Sequence, residues 1–384
     1  MEASVMLVYG TRPEAIKMAP VVGRLARHPR LRPVVVVTGQ HREMLDQVNE
    51  VFGIVPDHDL DIISPGQTLT DITVRSLAGL EPLLRQERPD VVLVQGDTTT
   101  SFAASLAAFY AQIPVVHLEA GLRTKSRYNP FPEEINRRLT TQIASLHLAP
   151  TAQARANLLA SGVTPDAITV TGNTVIDALF EVTASTRPIG NPTLAALARD
   201  RVSPLLLVTS HRRESWGAPL ARTAAAIARL VRDFPSLHVL LPAHRNPIVR
   251  DALLPPLAGL ERVHITEPLD YPDFCRAMQL ATLVLTDSGG VQEEAPALGK
   301  PVLVLRDTTE RPEAVEAGTA LLVGTDPDVI VTAATSLLTD PARYAAMTHA
   351  PNPYGDGHAA DRAVAAVAYL LGLGDPPGEF SGAG

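Results

Sequence analysis

The chain is poor in several residue types at once. It has one cysteine, Cys275, among 384 residues. That excludes an internal disulfide and a metal site built on cysteines. Aromatic residues make up only 4%, too few for platforms on which nucleobases stack. Basic residues are outnumbered, 33 Lys and Arg against 41 Asp and Glu, for a formal charge of −8. With no basic run to attract phosphate backbones, nucleic acid is not an expected partner. Long hydrophobic runs are also missing. The most apolar stretch, 101–121, is broken by Gln112, Pro114 and Glu119, so no membrane span is expected. MEASVMLVYGTRPE at the start lacks the basic beginning of a secretory signal and reads as a first strand. The expectation is a soluble cytoplasmic protein of two or three domains.

Familiar chemical signatures are absent too. No G-x-G-x-x-G follows the first strand, which disfavours a dinucleotide cofactor. LGK (298–300) fails as a phosphate loop because Glu294 stands where glycine is required. There is no H-E-x-x-H, no G-x-S-x-G and no pair of histidines at i, i+4, so nothing in the pattern asks for a metal.

What is present is a rhythm. Strand-like runs at 5–9, 34–38, 91–95, 115–118, 146–149 and 168–171 alternate with helical stretches near 14–28, 42–52, 68–88, 98–111, 133–144 and 151–161. The second half repeats it, with strands at 205–209, 239–242, 263–266, 283–286, 302–305 and 321–323. Runs such as VVVV (34–37) are apolar on both faces, as in a parallel sheet covered by helices. The alternation predicts an α/β protein with doubly wound parallel sheets. Residues 185–204 read as a linker with a short helix, 358–371 as a last helix, and 372–384 as a disordered tail.

The unusual polar clusters follow the strands. They are GTRPEAIK (10–17), GQHREM (39–44), QGDTTTS (95–101), HLEAGLRT (117–124), SHRRESWG (210–217), AHRNP (243–247), TDSGGVQEE (286–294) and RDTTERPEA (306–314). In open α/β sheets ligands bind beyond the carboxyl ends of strands, so two loaded sheet edges suggest a ligand between two domains. In TDSGGVQEE, Ser288 is placed to cap a helix, and Gly289 and Gly290 let an anion approach its first N–H groups. Arg12, Lys17, His211, Arg212, Arg213, Arg306 and Arg311 lie near the strand ends and suit a diphosphate. Asp97, Glu119 and Glu133 form an acidic set able to divide acid and base duties. Helix-dipole capping alone would account for Glu133 and Glu134, and less well for Glu119. The residue types by themselves reach a diphosphate-containing ligand with acid/base groups around it.

GTRPEAIKMAP (10–20), TGQHREMLDQV (38–48), QGDTTT (95–100), HLEAGLRT (117–124), PEEINRR (132–138), HRRE (211–214) and the thirty residues from Leu285 to Ala314 resemble the non-hydrolysing UDP-N-acetylglucosamine 2-epimerases of bacteria. The resemblance spans roughly residues 5 to 360. It implies a GT-B architecture, two Rossmann-like domains with the active site in the cleft between them. The first domain would be 1–171 plus the returning helix 358–371, the second 172–357. It further implies interconversion of UDP-GlcNAc and UDP-ManNAc with no cofactor and no metal, by elimination of UDP to 2-acetamidoglucal and re-addition. By position, Arg12, Lys17, Asp97, Glu119, His211, Phe274, Ser288, Gly289, Gly290, Glu294 and Arg311 would hold the substrate. Asp97, Glu119, Glu133 and His211 would carry chemistry. Gln40 and His244 match positions for a second, activating UDP-GlcNAc, although this chain has no Arg near Gly66 and has Leu269 where relatives often carry Gln. A homodimer and a product that feeds cell-surface polysaccharide are implied likewise. The rival readings are a GT-B glycosyltransferase using a UDP-sugar, a nucleotide-sugar sensor, and a hydrolysing epimerase that releases ManNAc and UDP.

Overall fold

The computed structural model describes residues 2–40, 42–124, 126–210 and 216–382. The chain forms two compact units, Met1–Ala178 with Tyr354–Gly384, and Leu179–Pro353. The first boundary falls inside the helix Thr174–Ala184.

The first unit holds β1 (Ala3–Tyr9), β2 (Leu31–Val37), β3 (His58–Asp59), β4 (Val91–Gln95), β5 (Val115–Leu118), β6 (Leu146–Ala149) and β7 (Ile168–Val170). They form one parallel sheet in the order β3-β2-β1-β4-β5-β6-β7. The second unit holds β8 (Leu205–Thr209), β9 (His238–Pro242), β10 (Val263–Thr266), β11 (Leu283–Thr286), β12 (Val302–Val304) and β13 (Ala320–Leu322). Its sheet is also parallel, in the order β10-β9-β8-β11-β12-β13. Both are Rossmann-like. In each sheet the order of strand addition reverses once, between β1 and β4 and between β8 and β11, and loops that diverge at such a point leave room for a ligand.

The physics is that of strands buried on both faces. Val34–Val37 and Leu205–Val208 are all buried whichever face they point to. In the first unit Met6, Val8, Val34, Val36, Val92 and Val94 pack against Leu80, Leu84 and Ala104 of the covering helices. In the second, Leu206, Val208, Val239 and Leu285 pack against Ile227, Leu230 and Ile330.

Among the described residues, twelve of the thirteen strands lie where the apolar runs predict them. The exception, β3, is two residues long and polar, His58–Asp59, and carries no apolar signal. The helix Thr174–Ala184 was not expected either. Val175, Ile176, Ala178, Leu179 and Val182 are all buried, so it lacks the polar stripe that reveals a surface helix. Residues 185–204 are not a linker between the units, because they lie inside the second, but the short helix expected there is present as Pro192–Arg199, capped by Asn191, whose side chain accepts from the Leu194 N–H at 3.0 Å.

The final helix, Ala359–Leu370, belongs to the first unit. Asp177 caps it, accepting from the N–H groups of Ala359 (3.1 Å) and Ala360 (2.8 Å). Beyond it the described residues form no further helix or strand, yet Phe380 N–H donates to the Val170 carbonyl at 2.8 Å and Glu379 pairs with Arg155 at 2.7 Å. Composition alone could not anticipate these two contacts. Among the described residues no helix is long and apolar enough to cross a membrane.

Candidate functional site

In the first unit, β1 runs out at Gly10. A Cβ there would stand 2.0 Å from Thr38 Oγ1 and 2.7 Å from Thr100 Oγ1, so only glycine passes between these hydroxyls. They bond each other at 3.1 Å, and Thr100 donates to Gln40 Oε1 at 2.9 Å. The helix Arg12–Ala26 begins at once. Glu14, in its first turn, folds back and accepts from the N–H groups of Gly10 (3.0 Å) and Thr11 (2.8 Å) and from the Thr98 hydroxyl (2.6 Å). Burial raises its proton affinity, and those donors oppose the rise. Arg12 is half-buried at the start of this helix.

Lys17, further along the same helix, places Nζ 2.6 and 2.7 Å from the two carboxylate oxygens of Glu119. Gln95 donates to Glu119 Oε2, and Asn173 Nδ2 donates to Oε1 at 3.1 Å. Glu119 is 9% exposed, with φ at +62°, a left-handed conformation that a non-glycine residue keeps only when its surroundings enforce it.

Asp97 follows the end of β4. Arg137 Nη2 donates to its Oδ2 at 2.6 Å, and Asn136 Nδ2 to its backbone carbonyl at 3.0 Å. Burial raises the Asp97 pKa and the charge of Glu119 adds to this, while Arg137 and Lys17 oppose it. Glu133 opens the helix Glu133–Ile143. Its pKa is raised by burial and then by the charge of Asp97. Asp97 therefore senses Glu119, and Glu133 senses Asp97, as members of one electrostatic group. Glu134 is not a simple dipole cap. It is fully buried, accepts from Thr124 N–H at 3.0 Å and pairs with Arg138 at 2.6 Å.

In the second unit β11 leads into the helix Gly289–Ala297. Thr209 and Thr286 share a hydroxyl bond of 2.6 Å, and Ser210 donates to the buried Asp287 at 2.8 Å. Ser288 stands at the N-cap position, but against expectation its hydroxyl makes no capping bond. Its backbone N–H is instead turned to Thr286 Oγ1 at 3.0 Å. Glu294 lies on this helix and accepts from the Tyr271 hydroxyl at 3.4 Å. Phe274 is half-buried on the helix Tyr271–Leu280. Arg311 is paired with Glu293, and its N–H donates to Thr309 Oγ1 at 3.0 Å. Thr309 in turn donates to Gln292 at 2.6 Å.

His244, at the end of β9, is exposed, with Nδ1 accepting from Asn246 N–H at 3.2 Å. His211, with Arg212 and Arg213, lies outside the described residues. Thus Lys17, Asp97, Glu119 and Glu133 come together in one unit, and Ser288, Gly289, Gly290 and Glu294 on one helix of the other. Among the described residues no cluster of His, Cys, Asp or Glu is arranged for a metal ion.

Four partners of these residues had no role in the sequence reading. Asn136 and Arg137 sit inside a quoted motif, and Glu293 beside an assigned residue. Asn173 follows β7 in TGNT, the strand-end position that marked every other cluster.

Residues 23–368 match the family model described as UDP-N-acetylglucosamine 2-epimerase. The Yersinia pestis UDP-N-acetylglucosamine 2-epimerase is 53% identical over 369 residues, covering 94% of this chain and 98% of that one. The S. aureus MnaA–UDP complex superposes with a TM-score of 0.87 at 45% identity, covering 99% of this chain and all of the other. The Neisseria meningitidis UDP-GlcNAc 2-epimerase bound to UDP-GlcNAc gives a TM-score of 0.84 at 45% identity, covering 96% of this chain and 100% of that one. The two parallel-sheet domains match the GT-B-like structures of these enzymes, and the chain belongs to the UDP-N-acetylglucosamine 2-epimerase family.

Proposed function

We propose that this protein interconverts UDP-GlcNAc and UDP-ManNAc without hydrolysing either, using no cofactor or metal. What carries the reading, in a member of this family, is the linked acid group Asp97, Glu119 and Glu133, with Lys17 against Glu119. A sugar C2–H is not acidic, so a base cannot take it directly. The C1–O bond breaks first and its electron pair leaves with UDP. The oxocarbenium character at C1 then acidifies the C2 proton, a carboxylate removes it, and 2-acetamidoglucal forms beside bound UDP. A proton delivered to the opposite face of C2, with UDP returning to C1, completes the epimerisation. Two carboxyls with raised proton affinity, Asp97 and Glu133, support this, since both a base and an acid are needed near neutral pH.

The same reading assigns Arg12, Lys17, His211, Phe274, Ser288, Gly289, Gly290, Glu294 and Arg311 to the UDP moiety. Glu294 takes the ribose hydroxyls, and the 288–290 turn takes the phosphates. The uncapped helix start at Ser288 supports it, because N–H groups at a helix N-terminus suit a phosphate. Gln40 and His244 are assigned to a second, activating UDP-GlcNAc. The enzyme is cytoplasmic, and UDP-ManNAc feeds cell-surface polysaccharide.

It acts as a homodimer. Val74, Phe109, Tyr110 and Leu139 are exposed on three neighbouring helices of the first unit. Val74 and Tyr110 border a groove of about 800 Å³ whose walls include Leu77, Leu84 and Ile113. A second copy buries such a face. Sedimentation should give twice the chain mass, and Tyr110→Lys should give the monomer.

The deciding experiment is proton NMR of the protein with UDP-GlcNAc in D2O. Deuterium entering C2 as UDP-ManNAc appears, with UDP retained, is expected. Free ManNAc with accumulating UDP would make it a hydrolysing epimerase. Binding without exchange at C2 would move the reading to glycosyl transfer.

A further inference from the structure

We propose that His117 is a positioning residue for Asp97, holding the turn that carries it through a single buried hydrogen bond. This rests on the role given to Asp97 above. His117 lies on β5, two residues before Glu119, and is fully buried. Its Nε2 is 2.7 Å from the carbonyl oxygen of Gly96. That carbonyl can only accept, so Nε2 carries the proton. Gly96 is the middle residue of the turn 95–97. Its φ of +67° is the left-handed conformation glycine adopts readily. Its own N–H donates to the Leu118 carbonyl at 2.9 Å.

The turn is therefore stitched to β5 at both groups of one peptide-bearing residue. The residue before Gly96 binds Glu119, and the residue after it is Asp97. Asn136 adds a third tie, to the Asp97 carbonyl. Among the described residues His117 Nδ1 has no hydrogen-bond partner. The ring's polarity thus serves the Gly96 bond alone. The ring is also no proton carrier, because burial, opposed by the Gly96 bond, pushes its pKa down to about 3. A ring held that low is neutral near pH 7 and takes no proton there.

The test compares His117→Leu, which keeps the bulk and removes the donor, with His117→Gln, whose amide nitrogen reaches nearly as far as Nε2. Steady-state epimerisation, UDP binding by calorimetry and thermal unfolding are measured for both and for wild type. Loss of the donor should lower kcat about 10- to 100-fold, the scale of a misplaced reacting group. KM and UDP affinity should stay within a few-fold, and His117→Gln should recover most of kcat. Nitrogen-15 spectra of wild type should show the Nε2–H form unchanged down to pH 5.

A wild type that fails to exchange C2 would sink the functional reading and this proposal with it. A wild type that epimerises, with His117→Leu retaining full kcat, would overturn the proposal and leave the function standing. So would Leu and Gln variants equally impaired, or kcat loss matched by loss of folded protein. Titration of His117 near pH 6 would do the same.

Discussion

The two units share a plan and differ in what they place at its centre. Both sheets put the first strand beside the fourth, and both join threonine hydroxyls near that reversal, Thr38 with Thr100 and Thr209 with Thr286. Both also use the sequence R-P-E-A at a helix start, at Arg12 and at Arg311. In the first unit Glu14 of that sequence folds back onto the strand end. In the second it is Arg311 that is engaged, by Glu293. The first unit gathers carboxylates whose charges are felt by one another. The second presents an uncapped helix start preceded by a half-buried serine. One scaffold thus carries a linked set of carboxylates in one unit and an uncapped helix start in the other. The difference lies in a few side chains past the strand ends, because the buried strands themselves are nearly interchangeable runs of Val and Leu.

This division can be broken most severely in the first unit. Glu119→Gln or Asp97→Asn should lower kcat about 100- to 10,000-fold, the usual span for a lost acid or base, while calorimetry finds UDP affinity little changed. If either variant kept near-normal turnover, the assignment of chemistry to that residue would fail. Gly10→Ala comes next. Its Cβ would collide with two threonine hydroxyls, so denaturant unfolding should show a loss of about 1–3 kcal/mol, typical of overpacking.

In the second unit the expected defect is in binding. Arg311→Lys keeps a charge but not the planar fork, and should weaken UDP about tenfold, with kcat at saturation nearly unchanged. A large kcat effect there would blur the comparison. The smallest effect sharpens it. The Asp97 charge raises the Glu133 pKa, so Asp97→Asn should move the residual pH–rate profile. With both carboxyls raised, the wild-type rate limb that reflects protonation of the base should lie above the ordinary carboxylate range. It should move toward lower pH once the Asp97 charge is gone.

Much of this was legible in the residues. The fold was, because a doubly covered parallel strand must be apolar on both faces, and VVVV or LLLV can satisfy little else. The acids were legible as types, Asp97 and Glu119 past strand ends and Glu133 at a helix start. Their coupling was not, because proximity between Asp97, Glu119 and Glu133 comes from three different segments. Nor were the supports. Asn136, Asn173 and Arg137 act through distances of about 3 Å or less, and polar residues of those kinds are common on helices and turns. Ser288 misled for a local reason: serine before Gly-Gly signals a cap, but a cap needs its hydroxyl, which here makes no such bond.

The last helix has a consequence for how the molecule is made. Residues 354–384 complete a unit whose other part ends at residue 178, while the second unit lies wholly between them. Asp361 pairs with Arg24 at 2.8 Å and Arg362 donates to the Thr171 carbonyl at 3.1 Å. A chain leaving the ribosome therefore has every residue of its second unit before the first can be finished. Domains generally fold as units during synthesis. For the interval it takes to add residues 354–384, Asp177 has no helix start to cap, and the acid-bearing half waits for that segment.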